Sequence, residues 1–187
     1  MSALSNKASF GAGCYWGTEN YILKKFNSLA PGSVKSGAVG FMHPSANAPA
    51  NPTYREVCSG RTGFVEVYDC EFDGKSETYE RLCRFFFSFH DPTTQDRQGN
   101  DRGTQYSSVL FFYDDAQKAI AERVKGEVQD LINQGKIRNY ESKQITTAVI
   151  PATKFYAAQE DHQKYLEKNP WGYCNHAYRW KLQDFGW

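Results

Sequence analysis

One cysteine of this sequence stands where it could present a thiol to a substrate. In the stretch "GAGCYWGTEN", Cys14 lies between glycines and is followed by two large aromatic residues, Tyr15 and Trp16. Glycine lets a ligand approach the backbone closely, and the helix predicted just afterwards would stabilise a thiolate through its N–H groups and its dipole. The pattern therefore indicates a nucleophilic cysteine. The alternative is a small core residue at a junction between a strand and a helix.

A carboxylate occupies an unusual place in the stretch "FVEVYDCEF". The alternation of a strand puts Glu66 on the same face as the aromatic side chains of Phe64 and Tyr68. Burial there would raise the pKa of the carboxyl and keep it partly protonated near neutral pH. It could then donate a proton to a developing oxyanion. The alternative is a glutamate at the end of a strand that reaches solvent or pairs with Arg55 or Arg61.

The five cysteines favour free thiols over a disulfide framework. Their number is odd, no CxxC pair occurs, and the first ten residues contain no apolar run of the kind that a signal peptide needs. A reduced, cytoplasmic protein is therefore expected. We assign Cys70 and Cys83 to the core and favour a buried position for Cys58.

Cys174 differs from these because it follows the last predicted helix, which Pro170 terminates. The surrounding stretch "NPWGYCNHAYRW" contains Gly172 and is typical of a mobile tail. A thiol on such a tail can move towards another thiol. The alternative is a tail cysteine that has no role.

The four histidines show none of the spacing with cysteines that a metal site would need, and we expect neither a metal nor a cofactor. His162 falls on a charged helix face, where solvation is expected.

The composition excludes some classes of function. The 187-residue chain has a net charge of +1 and 40% hydrophobic residues, which suffice for the core of one domain. A near-neutral balance gives no support to binding of nucleic acid or of a membrane surface. No segment is apolar for long enough to span a membrane.

The hydrophobic patterns predict five strands and four helices within a single domain, residues 1–187. The strands are expected at 7–10, 33–41, 64–72, 106–113 and 144–150. The helices are expected at 17–29, 76–90, 115–134 (with Asp114 as its cap) and 157–168. Polar loops are expected at 42–63 and 91–105, and a flexible tail at about 169–187.

The first six elements follow the order β-α-β-β-α-β, which is typical of a ferredoxin-like split βαβ core. The expected fold class is therefore α+β, a two-layer α/β sandwich. In that topology the first strand lies between the third and the fourth, and both are antiparallel to it. Cys14, Glu66, Tyr106 and the loop 42–63 would then meet at one rim of the sheet.

Five motifs carry a resemblance to a known family. They are, in chain order, "GCYWG", "NPTYREVCSG", "HDPTTQDRQGNDRGTQY", "DHQKYLEKNP" and "GYC". Between about Phe10 and Cys174, their order and spacing resemble those of class A peptide methionine sulfoxide reductases. The resemblance implies a mixed α/β sandwich with a ferredoxin-like core. It also implies an enzyme that reduces the S epimer of methionine sulfoxide, free or in proteins, and so repairs oxidised methionine.

The resemblance further implies a role for each residue of the site. Cys14 would attack the sulfoxide sulfur, Glu66 would protonate the sulfoxide oxygen, and Cys174 would convert the resulting sulfenic acid into a disulfide. Thioredoxin would reduce that disulfide, and we expect a monomer. The other implied residues are Tyr54 and Tyr106, which hydrogen-bond the oxygen, Asp101, which helps to orient the substrate, and Tyr15 and Trp16, which wall the methyl pocket.

Three features depart from the pattern of that family. Tyr15 stands where the family most often has phenylalanine, so its hydroxyl could make the pocket wall more polar. The segment 42–51 is longer than the usual glycine-rich link. The tail has one cysteine where some relatives have two, which implies a one-step relay from Cys14 to Cys174 unless Cys58 takes part.

Two other functions fit parts of the sequence. A cysteine hydrolase or acyltransferase would need a histidine base near Cys14, and only His43 or His90 falls near the predicted rim. An RNA-binding module could use the same fold with exposed aromatic residues. The near-neutral charge and the lack of a basic-aromatic strand motif count against that second function.

Overall fold

The computed structural model describes residues 4–187, which form a six-stranded sheet and a two-stranded ribbon. The strands are Lys7–Ala12 (β1), Val34–Met42 (β2), Val65–Phe72 (β3), Arg97–Gln98 (β4), Asp101–Arg102 (β5), Ser108–Phe112 (β6), Ala148–Pro151 (β7) and Tyr156–Ala157 (β8). The large sheet has the order β7-β6-β1-β3-β2-β8, in which β6 and β7 run parallel and the other neighbours antiparallel. β4 and β5 form the ribbon.

Three long helices accompany the sheet. They span 15–29, with a π-helical middle at Asn20–Phe26, then Ser76–Ser88 and Asp115–Asn133. Shorter elements are the helices Tyr54–Cys58 and Tyr165–Lys168 and the 3-10 turns Thr104–Tyr106, Glu160–His162 and Leu182–Phe185. Within residues 4–187, none of the helices has both the length and the apolar character that crossing a membrane requires.

The main hydrophobic cluster lies between the sheet and the three long helices. Phe10 of β1 and Tyr68 of β3 are fully buried there, together with Phe26, Phe86 and Val124 from the helices. A second, smaller cluster lies on the opposite face of the sheet. This layered arrangement confirms the predicted α+β class. It also leaves these strand aromatics unavailable for stacking on RNA bases.

β1 is the strand that carries the chain to the site. It pairs antiparallel with β3 on one side and with β6 on the other, so Phe10 lies opposite both Tyr68 and Leu110. These are the neighbours and directions predicted for the first strand. Because β6 runs the other way, the end of β1 lies at the start of β6, where Ala12 pairs with Ser108. The residues that follow β1 therefore lie at the expected rim.

The predicted helix 157–168 is wrong. The segment instead forms β8, a 3-10 turn and one turn of α-helix. The side chain of Gln163 explains the difference, because it bonds both the N–H and the C=O of Val39 at 2.8 Å and so fixes the segment to β2. Lys164 has a φ of 52°, a left-handed conformation that a right-handed helix cannot contain. Tertiary hydrogen bonds thus outweigh the helical periodicity.

Two helices begin at side-chain caps. Asp114 accepts a hydrogen bond from the N–H of Gln117, which confirms the predicted cap. The helix Tyr54–Cys58 lies inside the predicted loop 42–63 and begins at a capping box, in which Thr53 and Glu56 each accept from the other's N–H group, at 2.8 and 3.2 Å. This box holds Tyr54 in place.

The end of the chain differs from the expected flexible tail. Trp171 is fully exposed, but His176, Trp180 and Leu182 are buried against the domain. The backbone N–H of Arg179 also donates to the carbonyl of Ser88 at 2.7 Å. The chain therefore packs from His176 onwards, and Cys174 lies just before the packed part.

Gly17→Ala should destabilise the protein. A Cβ at Gly17 would lie 1.9 Å from Nδ1 of His176, a ring that is held by its bond to the carbonyl of Ala12. Overpacking of this kind costs about 1–3 kcal/mol. Gly126→Ala is the matched control, because that helical glycine has open space around it, and alanine there should stabilise the helix by about 0.5–1 kcal/mol. Urea unfolding measures both; a Gly17→Ala variant as stable as the parent would contradict the packing described.

Candidate active site

Cys14 lies in the turn between β1 and the first helix. Gly13 has a φ of 87°, and a Cβ there would lie 2.6 Å from the Cβ of Gln98, so only glycine fits without strain. The backbone N–H groups of Trp16 and Gly17 lie close enough to the Cys14 sulfur to lower its pKa. The glycine turn thus brings the thiol to the start of the helix, as the sequence predicted.

The thiol is nevertheless protonated at rest. Burial, and after it the negative charge of Glu66, raise the pKa of Cys14 far above its ordinary value. The N–H groups of Trp16 and Gly17 lower that pKa, but they do not outweigh burial of a side chain that is 7% exposed. The expected thiolate at the helix start is therefore corrected to a neutral thiol in the resting protein.

Glu66 is a buried carboxyl on β3. It is 2% exposed, and its Oε2 accepts a hydrogen bond from the backbone N–H of Tyr15 at 3.1 Å. The pKa of Glu66 is raised to about 8, chiefly by burial; the N–H of Tyr15 acts to lower this pKa and the nearby charge of Asp101 to raise it, and the value includes both. In the described chain neither Arg55 nor Arg61 pairs with it. The carboxyl is therefore mostly protonated at neutral pH and available as an acid.

Two phenols face this carboxyl. Burial raises the pKa of both Tyr54 and Tyr106, and the negative charge of Glu66 adds to the shift in each case. Tyr54 is the first residue of its helix and hydrogen-bonds to Cys58, and Tyr106 ends the 3-10 turn before β6. Both hydroxyls stay protonated and can donate a hydrogen bond to an oxygen held near Glu66.

Asp101 connects the site to the end of the chain. Its Oδ2 accepts from the side-chain amide of Asn175 at 2.9 Å, and the hydroxyl of Tyr173 donates to the same carboxylate. Asn175 also donates to the carbonyl of Gln98 at 2.7 Å. Burial raises the pKa of Asp101. The residues on either side of Cys174 are therefore bound to the β4–β5 ribbon that carries Asp101.

Aromatic rings form one wall of the site. The indole of Trp16 stacks on Tyr165 with ring centroids 3.7 Å apart and donates from Nε1 to Nδ1 of His162 at 3.2 Å. The His162 ring lies 4.5 Å from Tyr54 and 5.7 Å from Tyr15. His162 is half-buried and does not lie on a charged helix face as predicted, because the helix that would have exposed it does not form. The imidazole completes the aromatic wall instead.

The Tyr15 hydroxyl is a polar group inside this wall. Tyr15 is 1% exposed, and its hydroxyl has no hydrogen-bond partner among residues 4–187. Burial raises its pKa, followed by the charges of Glu66 and Tyr54, which the hydroxyl faces. The hydroxyl is therefore an unpaired polar group enclosed by the protein.

All five cysteines carry free thiols in the structure. Cys70 and Cys83 are buried in the main cluster, as expected. Cys58 is half-buried and hydrogen-bonds to Tyr54 at the edge of the site, and Cys174 is exposed. Within residues 4–187, no group of three or more His, Cys, Asp or Glu side chains could hold a metal ion.

The arrangement suits reduction of a polar group that carries an apolar substituent. A thiol, a protonated carboxyl and two phenol donors meet beside an aromatic wall. The hydrolase alternative lacks its base, because His90 bonds the carbonyl of Phe86 and the hydroxyl of Ser108 rather than Cys14. His43 bonds Ser45 in its own loop.

Sequence reasoning missed His162, Tyr165, Asn175 and His176. Each is brought to the site by contacts with residues more than 70 positions away, such as the 146 positions between Trp16 and His162. The motifs "DHQKY" and "YCNH" were visible, but no local pattern indicates where their polar side chains point.

Comparison with known proteins agrees with this chemistry. The family model described as "Peptide methionine sulfoxide reductase" matches residues 6–186. A protein of Schizosaccharomyces pombe named "Probable peptide methionine sulfoxide reductase" is 41% identical over 177 residues, which cover 94% of this chain and 97% of that protein.

Solved structures give the same answer for the fold. Mxr1 from Saccharomyces cerevisiae in its reduced form has a TM-score of 0.78 at 34% identity, covering 96% of this chain and 95% of that one. Mxr1 in complex with Trx2 has a TM-score of 0.58 at 24% identity, covering 96% and 94%. The second likeness concerns the fold alone.

Glu66→Gln should change how stability depends on pH. The raised pKa means that the folded parent keeps a proton that the unfolded chain loses above its ordinary pKa of 4.5. The stability that this proton contributes is complete below pH 4.5 and is lost as pH rises through about 8. Glutamine cannot ionise, so the free energy of unfolding of the variant should rise relative to that of the parent by a few kcal/mol as pH rises over that interval. Urea unfolding at pH 5, 6.5 and 8, with thiols kept reduced, measures the difference. A difference in free energy of unfolding that does not change with pH would show that Glu66 is already ionised in the folded parent at pH 5.

Proposed function

This chain belongs to the peptide methionine sulfoxide reductase family, and we propose that it reduces the S epimer of methionine sulfoxide, free or in proteins, by a relay of two thiols. One observation carries the proposal: the N–H of Tyr15, the residue after Cys14, donates to the buried carboxyl of Glu66 at 3.1 Å. Nucleophile and acid are thereby joined across one turn. A sulfoxide needs both, because its sulfur is attacked while its oxygen must be protonated.

In the first step the Cys14 sulfur attacks the sulfoxide sulfur, and Glu66 gives its proton to the oxygen. Tyr54 and Tyr106 donate hydrogen bonds to that oxygen as negative charge develops on it. The oxygen passes to Cys14 as a sulfenic acid and methionine leaves. The proton that the thiol loses restores the acid form of Glu66, so atoms and charge balance.

The aromatic wall holds the apolar end of the substrate. Tyr15 and Trp16 contact the methyl group, and the stacking of Trp16 on Tyr165 supports this role because it keeps the indole rigid. Asp101 orients the rest of the substrate. Its bonds to Tyr173 and Asn175 support a coupling between substrate binding and the end of the chain.

In the second step Cys174 attacks the sulfenic acid, and a Cys14–Cys174 disulfide and water are formed. The exposure of Cys174 supports this role, since the same sulfur must also meet an external reductant. Thioredoxin is that reductant, and the Mxr1 structure in complex with Trx2 supports the assignment by analogy. Cys58 lies at the edge of the site and is the second thiol to consider.

One chain suffices for this chemistry. Two cysteines and an acid complete the proposed relay, so we propose a monomer that needs no cofactor. Five free thiols and a thioredoxin-dependent step support a reducing compartment such as the cytoplasm.

Glu66→Gln should slow methionine formation in a single turnover by roughly 10²–10⁴-fold, the usual range for loss of a general acid. Amide replaces acid with little change of shape, so substrate affinity should fall less than the rate. Glu19→Gln is the matched control: Glu19 is also buried, with a pKa raised by burial to about 7, but its neighbours are Lys164 and Glu167 rather than the thiol. Its rate should stay within about threefold of the parent. A Glu66→Gln variant as fast as the control would remove Glu66 from the mechanism.

Cys174→Ser should separate the two steps. The variant should release one equivalent of methionine and then stall with thioredoxin, because thioredoxin acts on a disulfide. Dithiothreitol should restore turnover, since a small thiol reaches the sulfenic acid directly. Cys14→Ser is the control and should release no methionine with either reductant. Sustained turnover of Cys174→Ser with thioredoxin would transfer the resolving role to another thiol, and mass spectrometry of the oxidised protein would identify it.

A further inference from the structure

His176 lies between the two thiols of the relay. Its Nε2 is 2.6 Å from the carbonyl oxygen of Ala12, two residues before Cys14. A carbonyl only accepts hydrogen bonds, so Nε2 carries the proton and Nδ1 has a free lone pair. That Nδ1 is 3.8 Å from the sulfur of Cys174. The ring is therefore tethered to the backbone of one thiol and presents an acceptor to the other.

The position of this ring is fixed from several sides. Gly17 leaves the space that Nδ1 occupies, because a Cβ there would lie 1.9 Å from it. The hydroxyl of Tyr21 donates to the carbonyl of His176 at 3.3 Å, and Phe89 packs on the imidazole with ring centroids 5.5 Å apart. Asn175, the preceding residue, is bound to Gln98 and Asp101. A ring held this way does not leave the turn that carries Cys14.

The imidazole is neutral in the resting protein. His176 is 7% exposed, and its pKa is lowered to about 4, chiefly by burial. The carbonyl of Ala12 acts to raise this pKa and the charges of Arg179 and Lys25 to lower it, and the value includes these effects. Among residues 4–187, the titratable or charged groups that face the ring are Cys174 and Arg179 from its own segment, Tyr21 and Lys25 from the first helix, and His90 after the helix Ser76–Ser88. None of them is a carboxylate. An anion that forms at Cys174 is therefore the group that would stabilise a proton on Nδ1.

We propose that His176 is the general base of the resolving step, an inference that rests on the role proposed for Cys174. The Cys174 thiol gives its proton to Nδ1 as its sulfur attacks the sulfenic sulfur of Cys14. An S–S bond forms and the S–O bond breaks; the hydroxide that leaves takes the proton from His176 and becomes water. The Cys174 sulfur is oxidised and the Cys14 sulfur is reduced, both to the level of the disulfide, so no other oxidant is needed.

The size of the effect follows from thiol acidity. A thiol of ordinary pKa near 8.5 is about 3% thiolate at pH 7. A base that removes the thiol proton during attack can therefore accelerate disulfide formation by up to about 30-fold at pH 7. At high pH the thiolate forms without a base, so the acceleration is small. Loss of a base therefore slows disulfide formation at pH 7 more than at high pH. Loss of a residue that only fills space slows it equally at both.

The test uses His176→Gln in the full chain. The glutamine amide can still donate to the carbonyl of Ala12 but has no basic lone pair. With one equivalent of methionine sulfoxide and no external reductant, rapid quenching gives the rates of methionine release and of Cys14–Cys174 disulfide formation. Methionine release should stay within about threefold of the parent. Disulfide formation should slow by about 10–30-fold at pH 7 and approach the parent rate at pH 9.5.

Controls separate this inference from the relay itself. His43→Gln changes a histidine whose hydrogen bonds go to Ser45 in its own loop, and this variant should match the parent at every pH. His176→Asn, which also lacks a base, should repeat the pH-dependent defect if the glutamine variant does not fold. An unchanged rate at pH 7, or a slowing of equal size at pH 7 and 9.5, would overturn the assignment of His176 as a base. Absence of a Cys14–Cys174 disulfide in the parent would instead overturn the role proposed for Cys174.

Discussion

The burial of an uncompensated carboxyl is the constraint on which this site depends. Within residues 4–187, Glu66 receives one hydrogen bond, from the N–H of Tyr15, and faces no positive charge. A carboxyl in such surroundings keeps its proton, because a single hydrogen bond from an N–H group does not offset the free-energy cost of desolvating the anion. The same N–H begins the helix that carries the aromatic wall. Acid, nucleophile and wall are therefore fixed by one short piece of backbone.

That burial also explains why the thiol is neutral before substrate binds. A thiolate at Cys14 would have to be desolvated close to Glu66, and the helix start offers only two N–H groups in return. The resting site thus keeps both protons, one on the Cys14 thiol and one on the Glu66 carboxyl. A sulfoxide brings a strong dipole into this site, and its oxygen can accept hydrogen bonds from the two phenols and from the protonated carboxyl.

The sequence predicted those parts of the structure that depend on local pattern. The strand alternation around Glu66 and the glycine-flanked Cys14 led to the correct rim, because sheet pairing follows from the order of elements. The segment 157–168 was mispredicted because its conformation depends on Gln163, whose partner Val39 is 124 residues away. The surroundings of His162 depend on the same segment. Periodicity carries no information about such distant hydrogen bonds.

The packing of the chain beyond residue 175 sets how far Cys174 can travel. A tail anchored at His176 confines the thiol to a small volume beside the Cys14 turn, so that its effective concentration there is on the order of millimolar or more. A sulfenic acid that waits for a free thiol from solution is open to further, irreversible oxidation. Under the proposed relay, the anchored tail makes closure a unimolecular event. Disulfide formation can therefore outpace the further oxidation of the Cys14 sulfenic acid by the same oxidant that damaged the substrate.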